Sequence, residues 1–406
     1  MEVLPIIYLG YMFVSIYFLS LFLLLFKKNR EVLFDYPKTK KKYSISVLVP
    51  AYNEEETIED TVKTIFESEY IIEEVIVLND GSKDNTAKIV RGLMKKYKKL
   101  KLIDKENSGK GDSLNKGIEA ATGELVAVVD ADSFPSKDSF KKMVGFFDDE
   151  KVGAVTCIFV PRNRNSFIEK LQVIEYNLIA FTRKLLDYVD AIYVTPGPLA
   201  LYRKSALIEI GGFDSKNMTE DIEATWHLAY NGYHRRMCLD THATTTVPNK
   251  IKIWYRQRRR WNVGGLQCIS KYKGIFLRRG MLGFFIWPFF VFQLFLGLIG
   301  LSVFIYLVVT RFIKNYIFWS YSLGIGTSVT ISDYYFTPSV LNYLGIVLFI
   351  AGAFFTLLIL IIMKDKILKK QNIFNILFYL IFYLSIYPII MISAIYHYFK
   401  GTRKWR

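Results

Sequence analysis

The sequence predicts an α/β domain, with a mostly parallel sheet covered by helices on both faces, joined to a region of transmembrane helices. Between about residues 44 and 274, short β-branched runs alternate with segments of helical periodicity, which is the pattern of such a sheet. Before and after that range lie apolar stretches long enough to span a bilayer. The 406 residues are 52% hydrophobic, which excludes a disordered chain, and the apolar residues are clustered, which argues against a wholly soluble one.

The first apolar stretch covers residues 4–26, enough to cross roughly 30 Å of hydrocarbon as a helix. No basic leader precedes it and no small-residue cleavage site follows it, so we do not expect a removed signal peptide. The basic residues that follow are Lys27, Lys28, Arg30, Lys38, Lys40, Lys41 and Lys42. Because positive charge marks the cytoplasmic side, residues 1–43 are predicted to form one transmembrane helix and a basic linker to a cytoplasmic domain.

Residues 275–406 are predicted to form interfacial and transmembrane helices, with apolar segments at 284–310, 341–363 and 373–399. The loop 364–372 and the tail with Lys400, Arg403, Lys404 and Arg406 are both basic. Both cannot be cytoplasmic if segment 373–399 crosses once. Either Pro388 breaks that segment into a helix that dips in and returns, or the weakly apolar stretch 316–332 adds a span. The sequence leaves both arrangements open.

The central domain, residues 44–274, has predicted strands at 45–49, 75–78, 100–103 and 125–129 and predicted helices at 54–68, 84–97 and 112–121. Ligands of such sheets bind outside the carboxyl ends of the strands. Polar residues stand at those ends: Asn53 and Glu54, Asn79 and Asp80, Asp130 and Asp132. This edge of the sheet is therefore the predicted binding site.

Asp130-Ala131-Asp132 directly follows an apolar strand. Two carboxylates one residue apart at a strand end can share a divalent cation, which in turn binds phosphate oxygens. The alternative is a solvated acidic turn. The position after a buried strand favours the cation site.

Three other polar motifs allow a functional and a structural interpretation. Asp80 either binds a ligand at its strand end or caps the next helix. Lys110 would meet a diphosphate, or is one surface lysine among many. One of Glu220 and Asp221 would be a general base, unless both only cap a helix.

Gln257-Arg258-Arg259-Arg260-Trp261 is basic and aromatic and lies just before the membrane region. It would bind lipid headgroups with an interfacial tryptophan, or bind a diphosphate through arginine and stack a sugar on the indole. Thr195-Pro196-Gly197-Pro198 would form one wall of a pocket, or is merely a loop. The residues alone leave these alternatives open.

The formal net charge of +16 suits anionic lipid headgroups and cytoplasmic loops. It would also suit nucleic acid, but no nucleic-acid-binding module accompanies it, so no such partner is expected. Cys157, Cys238 and Cys268 lie far apart and form no CxxC pair. They are predicted to be reduced thiols rather than part of a disulfide framework or zinc ribbon.

Taken in order, the motifs resemble those of the membrane-bound family-2 glycosyltransferases. They are Pro50-Ala51-Tyr52-Asn53-Glu54-Glu55, Asp80-Gly81-Ser82, Lys110-Gly111, Asp130-Ala131-Asp132, Thr219-Glu220-Asp221 and Gln257-Arg258-Arg259-Arg260-Trp261. The resemblance covers most of the chain from about Ser44 and implies a GT-A-like fold for residues 44–274. It points to processive synthases of poly-N-acetylglucosamine, hyaluronan and chitin-type polymers. Val160-Pro161-Arg162-Asn163-Arg164-Asn165 is similar to the first, whereas Pro196-Gly197-Pro198-Leu199 with Tyr202-Arg203 is similar to the others, so the product stays open.

The resemblance also implies a role for each motif residue. Ala51, Tyr52, Glu54 and Asp80 would hold the uridine, and Lys110 would lie near the diphosphate. Asp130 and Asp132 would bind Mg2+ or Mn2+, with Asp130 also on the nucleotide. Asp221 would be the catalytic base, and Gln257 and Arg260 would contact the departing diphosphate. Trp261, Glu220 and Pro198 would bind the acceptor.

The implied function is inverting transfer of a hexosamine, N-acetylglucosamine or a relative, from a UDP-sugar to a growing β-linked polysaccharide, coupled to translocation across the plasma membrane. The polysaccharide, membrane lipids and an accessory subunit would be its partners. A transferase that adds one sugar to a membrane lipid, as ceramide glucosyltransferase does, shares the acidic motifs. A membrane-anchored scaffold with a degenerate fold is the non-enzymatic alternative, and the intact acidic set argues against it.

Overall fold

The computed structural model of the protein describes residues 3–324, 340–363 and 372–401. In this part of the chain one sheet contains β1 (Ile45–Ala51), β2 (Glu74–Asp80), β3 (Leu100–Lys105), β4 (Leu125–Val128), β5 (Ser133–Pro135), β6 (Val152–Pro161), β7 (Ala200–Arg203) and β8 (His234–Thr245). Every residue of β1, β2 and β4 is buried. Their β-branched and leucine-rich sequences suit strands that are covered on both faces. The predicted strands are confirmed.

The strands lie in the order β3-β2-β1-β4-β7-β6-β8-β5. β1 pairs in parallel with β2 and β4, so that Val47 lies opposite both Val75 and Ala127, and β3 pairs in parallel with β2. β7 is antiparallel to β4 and β6, β8 is parallel to β6, and β5 is antiparallel to β8. The sheet is therefore mixed, and the predicted polar strand ends meet in its parallel half.

The α-helices of the described residues follow in chain order. They are α1 (Val3–Asn29), α2 (Ile58–Phe66), α3 (Thr86–Met94), α4 (Lys110–Ala120), α5 (Ser139–Met143), α6 (Phe167–Asp187), α7 (Lys204–Glu209), α8 (Glu220–Tyr230), α9 (Ile251–Lys271), α10 (Trp287–Gly324), α11 (Val340–Ile362), α12 (Ile373–Phe378) and α13 (Tyr387–Phe399). The predicted helices between the first four strands correspond to α2, α3 and α4.

Alternate residues of β1 point to opposite faces of the sheet, and helices cover each face. Val47 belongs to a core cluster with Val62 of α2 and Val90 of α3. Leu48 belongs to a second cluster with Leu114 of α4. The expected arrangement of a sheet with helices on both faces is confirmed.

Three helical runs in the described residues are long and apolar enough to cross a membrane: Pro5–Asn29, Leu282–Gly324 and Ile373–Phe399. A shorter apolar helix covers Ile346–Ile362. Phe13 and Phe312 on the first two runs are 72% and 71% exposed. Exposed aromatic side chains on such long apolar helices indicate insertion into lipid.

The last apolar run does not turn back at Pro388. A π-helical turn (Tyr379–Tyr383) and a 3-10 turn (Leu384–Ile386) precede α13, and Pro388 lies in the first turn of α13. Proline is tolerated there, and the backbone stays helical throughout the run Ile373–Phe399. Of the two arrangements that the sequence left open, the one with a return at Pro388 is therefore contradicted by the described residues.

The alternative arrangement placed an additional span at 316–332. Residues 316–324 continue α10, so no separate helix begins there. Residues 325–332, the basic loop at 364–371, and Arg403, Lys404 and Arg406 lie outside the described residues.

Two long helices connect the sheet to the membrane helices. α6 packs against β6 and β8 and also against α1, α11 and α12, while α9 packs against α8, α10 and α13. A capping box between Ser166 and Glu169 begins α6. α6 and α9 therefore border the space between the sheet edge and the membrane helices.

Candidate active site

The carboxyl ends of β1, β2 and β4 meet at one edge of the sheet, and a charged cluster lies beyond them. Lys110 Nζ is 2.6 Å from Asp130 Oδ1 and 2.8 Å from Glu220 Oε1. We call Lys110, Asp130 and Glu220 the rim cluster. Burial by itself lowers the pKa of Lys110, but the charges of Asp130, Glu220 and Asp221 raise it above its usual value, so the ammonium stays charged.

Asp80 holds the loop that leads to Lys110. Its carboxylate accepts hydrogen bonds from the backbone N–H groups of Ser108 and Gly109, both at 2.9 Å, and it pairs with Lys105. Gly109 has a φ of 97°, a conformation that favours glycine. Asp80 therefore positions the N-terminus of α4 and the lysine that begins it.

Glu220 and Asp221 begin α8 and differ in their electrostatic surroundings. Burial raises the pKa of Asp221, and the negative charge of Glu220 raises it further, to about 6. Burial also acts on Glu220, but the paired Lys110 outweighs it and lowers the pKa of Glu220. A carboxylate that titrates near neutral pH suits proton transfer, whereas one neutralised by an ammonium does not. Asp221 is therefore the candidate base.

Asp132 is the second carboxylate of the pair that follows β4. Burial raises its pKa, and the charges of Asp130 and Glu54 raise it further, to about 7. A divalent cation would relieve this crowding of negative charge. The described residues contain no cluster of three or more metal-ligating side chains. Two carboxylates one residue apart suit a cation such as Mg2+, which is commonly bound by one or two carboxylates and completes its shell with phosphate oxygens and water.

The loop at 195–198 approaches the rim cluster through its backbone. Asp130 donates its backbone N–H to the Gly197 carbonyl oxygen at 3.1 Å. A Cβ at Gly197 would lie 2.6 Å from Lys110 Nζ and 2.7 Å from Asp130 Oδ2. A larger residue at this position would displace these two side chains, so the loop lies directly against the rim cluster as the pocket wall that the sequence suggested.

The arginine-rich motif lies on α9 and is organised by Arg258, which is 0% exposed. Arg258 Nε and Nη2 donate to the two carboxylate oxygens of Glu175 at 3.0 and 2.5 Å. Arg258 Nη1 donates to Gln257 Oε1 at 2.6 Å, and the Arg258 Cζ lies 4.0 Å from the Trp261 ring centroid. Arg258 therefore orients the side chains of both Gln257 and Trp261.

Side chains of the membrane run Ile373–Phe399 complete this arrangement. Tyr383 Oη donates to Glu175 Oε2 at 2.7 Å, and Tyr387 Oη also donates to Glu175. Trp254 Nε1 donates to Tyr383 Oη at 2.7 Å. We call Glu175, Arg258, Tyr383 and Tyr387 the helix cluster. It ties α6 and α9 to a membrane helix.

A cavity of about 400 Å³ lies between the sheet edge and the membrane helices. Lys110, Asp130, Asp132, Glu220 and Asp221 line its sheet end, and Pro198, Gln257, Arg260 and Trp261 also line it. Phe290, Gln293 and Met391 line it from α10 and α13. The acidic residues and Trp261 thus share one cavity that lipid-embedded helices also border.

Comparison with known proteins assigns the family. The family described as Glycosyl transferase family 2 matches residues 46–211. The poly-beta-1,6-N-acetyl-D-glucosamine synthase of Staphylococcus epidermidis is 31% identical over 388 residues, which cover 93% of this chain and 88% of that protein. The chain belongs to glycosyl transferase family 2. The synthase of the same name from Staphylococcus aureus is 34% identical over 229 residues, 56% of each chain.

A solved structure has a similar architecture over nearly the whole chain. A mannosyltransferase of Pyrobaculum calidifontis, in complex with GDP-Man and Mn2+, superposes with a TM-score of 0.63 at 20% identity. The match covers 97% of this chain and 98% of that one. At this identity the likeness concerns the fold, and the GT-A-like expectation is confirmed.

Four residues expected to hold the nucleotide of this family 2 transferase are not among those that line the cavity: Ala51, Tyr52, Glu54 and Asp80. Ala51 is 3% exposed and packs in the core at the end of β1. Glu54 Oε2 accepts a hydrogen bond from Thr57 Oγ1 at 3.0 Å, and its charge acts on Asp132. The role of these residues in holding uridine stays a prediction.

Seven polar residues of the cavity were not predicted: Tyr176, Arg183, Tyr193, Thr245, Thr246, Asn262 and Gln293. Positions 176, 179, 180 and 183 lie on one helix face by their spacing, but spacing does not tell a cavity from a core. Two features of the sequence could have pointed to the cavity. One is the guanidinium of Arg183 within an apolar helix face, and the other is Gln293 within the apolar run 287–300.

Proposed function

We propose that this protein transfers N-acetylglucosamine from UDP-N-acetylglucosamine, with inversion, to the growing end of a β-linked polysaccharide. The observation that carries the proposal is that Asp221, the Asp130–Asp132 pair and Trp261 line one cavity next to the membrane helices. The Staphylococcus epidermidis relative, which is similar over 93% of the chain, is a poly-N-acetylglucosamine synthase by name. This supports the hexosamine and favours that polymer over the hyaluronan and chitin-type alternatives.

Asp221 acts as the base of a single displacement. Its carboxylate takes the proton of the acceptor hydroxyl as that oxygen forms a bond to the anomeric carbon. The bond between the anomeric carbon and the diphosphate oxygen breaks, and UDP leaves with the electron pair. One displacement at an α-linked donor gives a β-linkage and requires no carboxylate nucleophile. With a pKa of about 6, Asp221 is mostly ionised at neutral pH and can accept the proton.

The departing diphosphate is stabilised by positive charge. Lys110, Arg260 and the Gln257 amide line the cavity and would donate to its oxygens. Asp130 and Asp132 would hold Mg2+ or Mn2+, and the structure of the Pyrobaculum mannosyltransferase is of a complex with GDP-Man and Mn2+. Such an ion supplies charge neutralisation at the diphosphate.

The donor and acceptor would bind on different sides of Asp221. Ala51, Tyr52, Glu54 and Asp80 would hold the uridine along the strand ends. Trp261, Pro198 and Glu220 would bind the acceptor sugar, with the indole held by the Arg258 guanidinium.

We further propose that residues 44–274 are a cytoplasmic catalytic domain between the anchor at 1–43 and the membrane helices of 275–406. The basic residues after α1 support this orientation. Phe290, Gln293 and Met391 border the cavity from membrane helices, which supports passage of the growing chain between them. Membrane lipids would surround these helices, and an accessory subunit would complete the export path.

Transfer of one sugar to a membrane lipid is the second candidate. Phe290, Leu294 and Met391 give the cavity an apolar lining next to the membrane, which would also suit a lipid acceptor.

The test uses the full-length protein in lipid nanodiscs with radiolabelled UDP-sugars, with and without Mg2+ or Mn2+. We expect a high-mass polymer from UDP-N-acetylglucosamine, only with metal, and no product from Asp221→Asn. One labelled sugar on an extractable lipid would support the second candidate instead. No incorporation from any UDP-sugar would contradict both.

A further inference from the structure

Arg183 is a buried guanidinium on the cavity wall formed by α6. It is 4% exposed, and it lines the cavity together with Tyr176, Ile179 and Ala180 of the same helix. These positions are spaced as i, i+3, i+4 and i+7, so they form one stripe along the helix. Arg183 is thus the charged end of an otherwise neutral wall.

Within residues 3–324, 340–363 and 372–401, no carboxylate pairs with Arg183, and its Nε has no hydrogen-bond acceptor. The ring centroid of Phe159 lies 6.0 Å from the Cζ of Arg183. Two other buried arginines differ from Arg183 because they have hydrogen-bond and ion-pair partners in the protein. Arg235 donates to three backbone carbonyl oxygens and pairs with Asp190, and Arg258 pairs with Glu175. Arg183 therefore carries a buried positive charge that no ion pair among the described residues neutralises.

A buried guanidinium without an ion-pair partner lowers the stability of the folded protein. Arginine stays protonated in proteins, so the charge cannot be removed by loss of a proton. Removing a charge from water without a partner is strongly unfavourable. The cavity side of Arg183 is open to a ligand, and a ligand with strong hydrogen-bond acceptors would supply what the protein does not.

The position of Arg183 favours the acceptor over the donor. Arg183 lines the same cavity as Asp221 and lies on α6, which packs against the membrane helices α1, α11 and α12, on the side where the acceptor chain would lie. Tyr193, which also lines the cavity, packs edge-on against Phe290 of α10 at 5.1 Å between ring centroids. Lys110 and Asp130, by contrast, lie at the sheet edge where the diphosphate would bind.

We propose that Arg183 and Tyr193 form a subsite for the N-acetyl group of a sugar unit in the acceptor chain. This rests on the proposed function, in which the acceptor is a polymer of N-acetylglucosamine. The amide carbonyl is the strongest hydrogen-bond acceptor of such a neutral chain, and the guanidinium donates to it. Ile179 and Ala180, next to Arg183 on the stripe, give the acetyl methyl group an apolar surface.

The test compares Arg183→Met and Arg183→Lys with the wild-type full-length protein in nanodiscs. Thr182→Val is the matched control on the same helix, because Thr182 bonds only to backbone carbonyls of its own helix and does not line the cavity. The ligands are an N-acetylglucosamine tetrasaccharide, a glucose tetrasaccharide of the same linkage, and UDP. Binding is measured by calorimetry, so it does not depend on turnover.

We expect Arg183→Met to weaken binding of the acetylated oligosaccharide about tenfold or more, since a hydrogen bond to a charged group is lost. Binding of the glucose oligosaccharide and of UDP stays as in the wild type, so the preference for the acetylated ligand disappears. Arg183→Lys should retain part of the preference for the acetylated ligand, and Thr182→Val should retain all of it. The unfolding temperature of Arg183→Met stays at or above that of the wild type, because the removed charge has no protein partner.

Equal binding of the acetylated ligand by Arg183→Met and the wild type would overturn the inference. So would an equal loss for both oligosaccharides, or a lower unfolding temperature accompanied by loss of UDP binding, which would indicate a structural arginine. If the wild type binds the acetylated ligand but transfers no sugar from UDP-N-acetylglucosamine, the proposed function fails while the subsite stands.

Discussion

The rim cluster and the helix cluster are both sets of opposite charges, but the rim cluster is only partly buried and it alone borders the cavity. In the helix cluster, both carboxylate oxygens of Glu175 receive donors from Arg258 and from tyrosine hydroxyls. In the rim cluster, one ammonium, that of Lys110, is shared between Asp130 and Glu220, and Asp221 beside it has a raised pKa.

This difference separates a charge that holds the fold from a charge that is available to a ligand. A closed cluster with every group paired loses much when one partner is removed, because the other is left buried and unpaired. Groups beside a cavity can exchange partners when substrate binds. Removing a rim carboxylate should therefore affect reaction more than stability, whereas removing a member of the helix cluster should lower stability.

The largest effect is expected for Asp221→Asn. Loss of the base should lower the turnover of UDP-N-acetylglucosamine by up to about 10⁴-fold. UDP affinity and the unfolding temperature should stay close to those of the wild type, because the amide keeps the shape of the carboxylate. Turnover and UDP calorimetry on the same preparation check this. Loss of UDP binding would argue against the role as a base.

The helix cluster is tested by Arg258→Met. It leaves the Glu175 carboxylate buried without its cation, and the expected loss of stability is about 3 kcal/mol or more, seen as a lower unfolding temperature. The double variant Glu175→Gln/Arg258→Met should recover part of the loss, because no buried charge remains.

Arg256→Met is the control for that series, since Arg256 is exposed on the same helix. It should change stability by no more than about 0.5 kcal/mol. A stability of Arg258→Met equal to that of the control would contradict the structural role of the helix cluster.

Gly197→Ala tests the close approach at the rim cluster. The added methyl group would push Lys110 and the Asp130 carboxylate apart, and a displacement of this size at a reacting site lowers turnover on the order of 10²-fold. Gly92→Ala is the control, because a Cβ there meets nothing within 4 Å. The control should keep full activity and gain stability from alanine's helix propensity. Equal activity of the two variants would mean that the rim geometry is not critical.

The smallest effect is a shift in pH dependence. Because Asp221 must be ionised to accept a proton, turnover at saturating Mg2+ should fall as the pH drops below about 6. Glu220→Gln removes the negative charge that raises this pKa, so the acid limb should move to lower pH. Profiles of the wild type and Glu220→Gln between pH 5 and 8 measure the shift. An acid limb at the same pH in both would show that Glu220 does not tune Asp221.

The parallel half of the sheet could be predicted because β1, β2 and β4 are continuous apolar strands followed by polar ends. The other half could not. β7 has only four residues, and β8 reads HRRMCLDTHATT, in which charged and polar residues interrupt the apolar ones. These strands are stabilised by pairing with β4 and β6, and no local periodicity reports that pairing.

The amino-acid sequence by itself determined the class of fold, the long apolar segments and the motifs at the strand ends, since each depends on residues close together in the chain. Only the tertiary structure decided which of these residues share a cavity and which charges are paired within the protein, away from that cavity. Glu175 and Tyr383 are 208 positions apart, and Lys110 meets Glu220 only because α4 and α8 begin at the same edge of the sheet. Partnerships of this kind arise from packing between distant elements, and the same packing leaves Arg183 facing the cavity without a partner among the described residues.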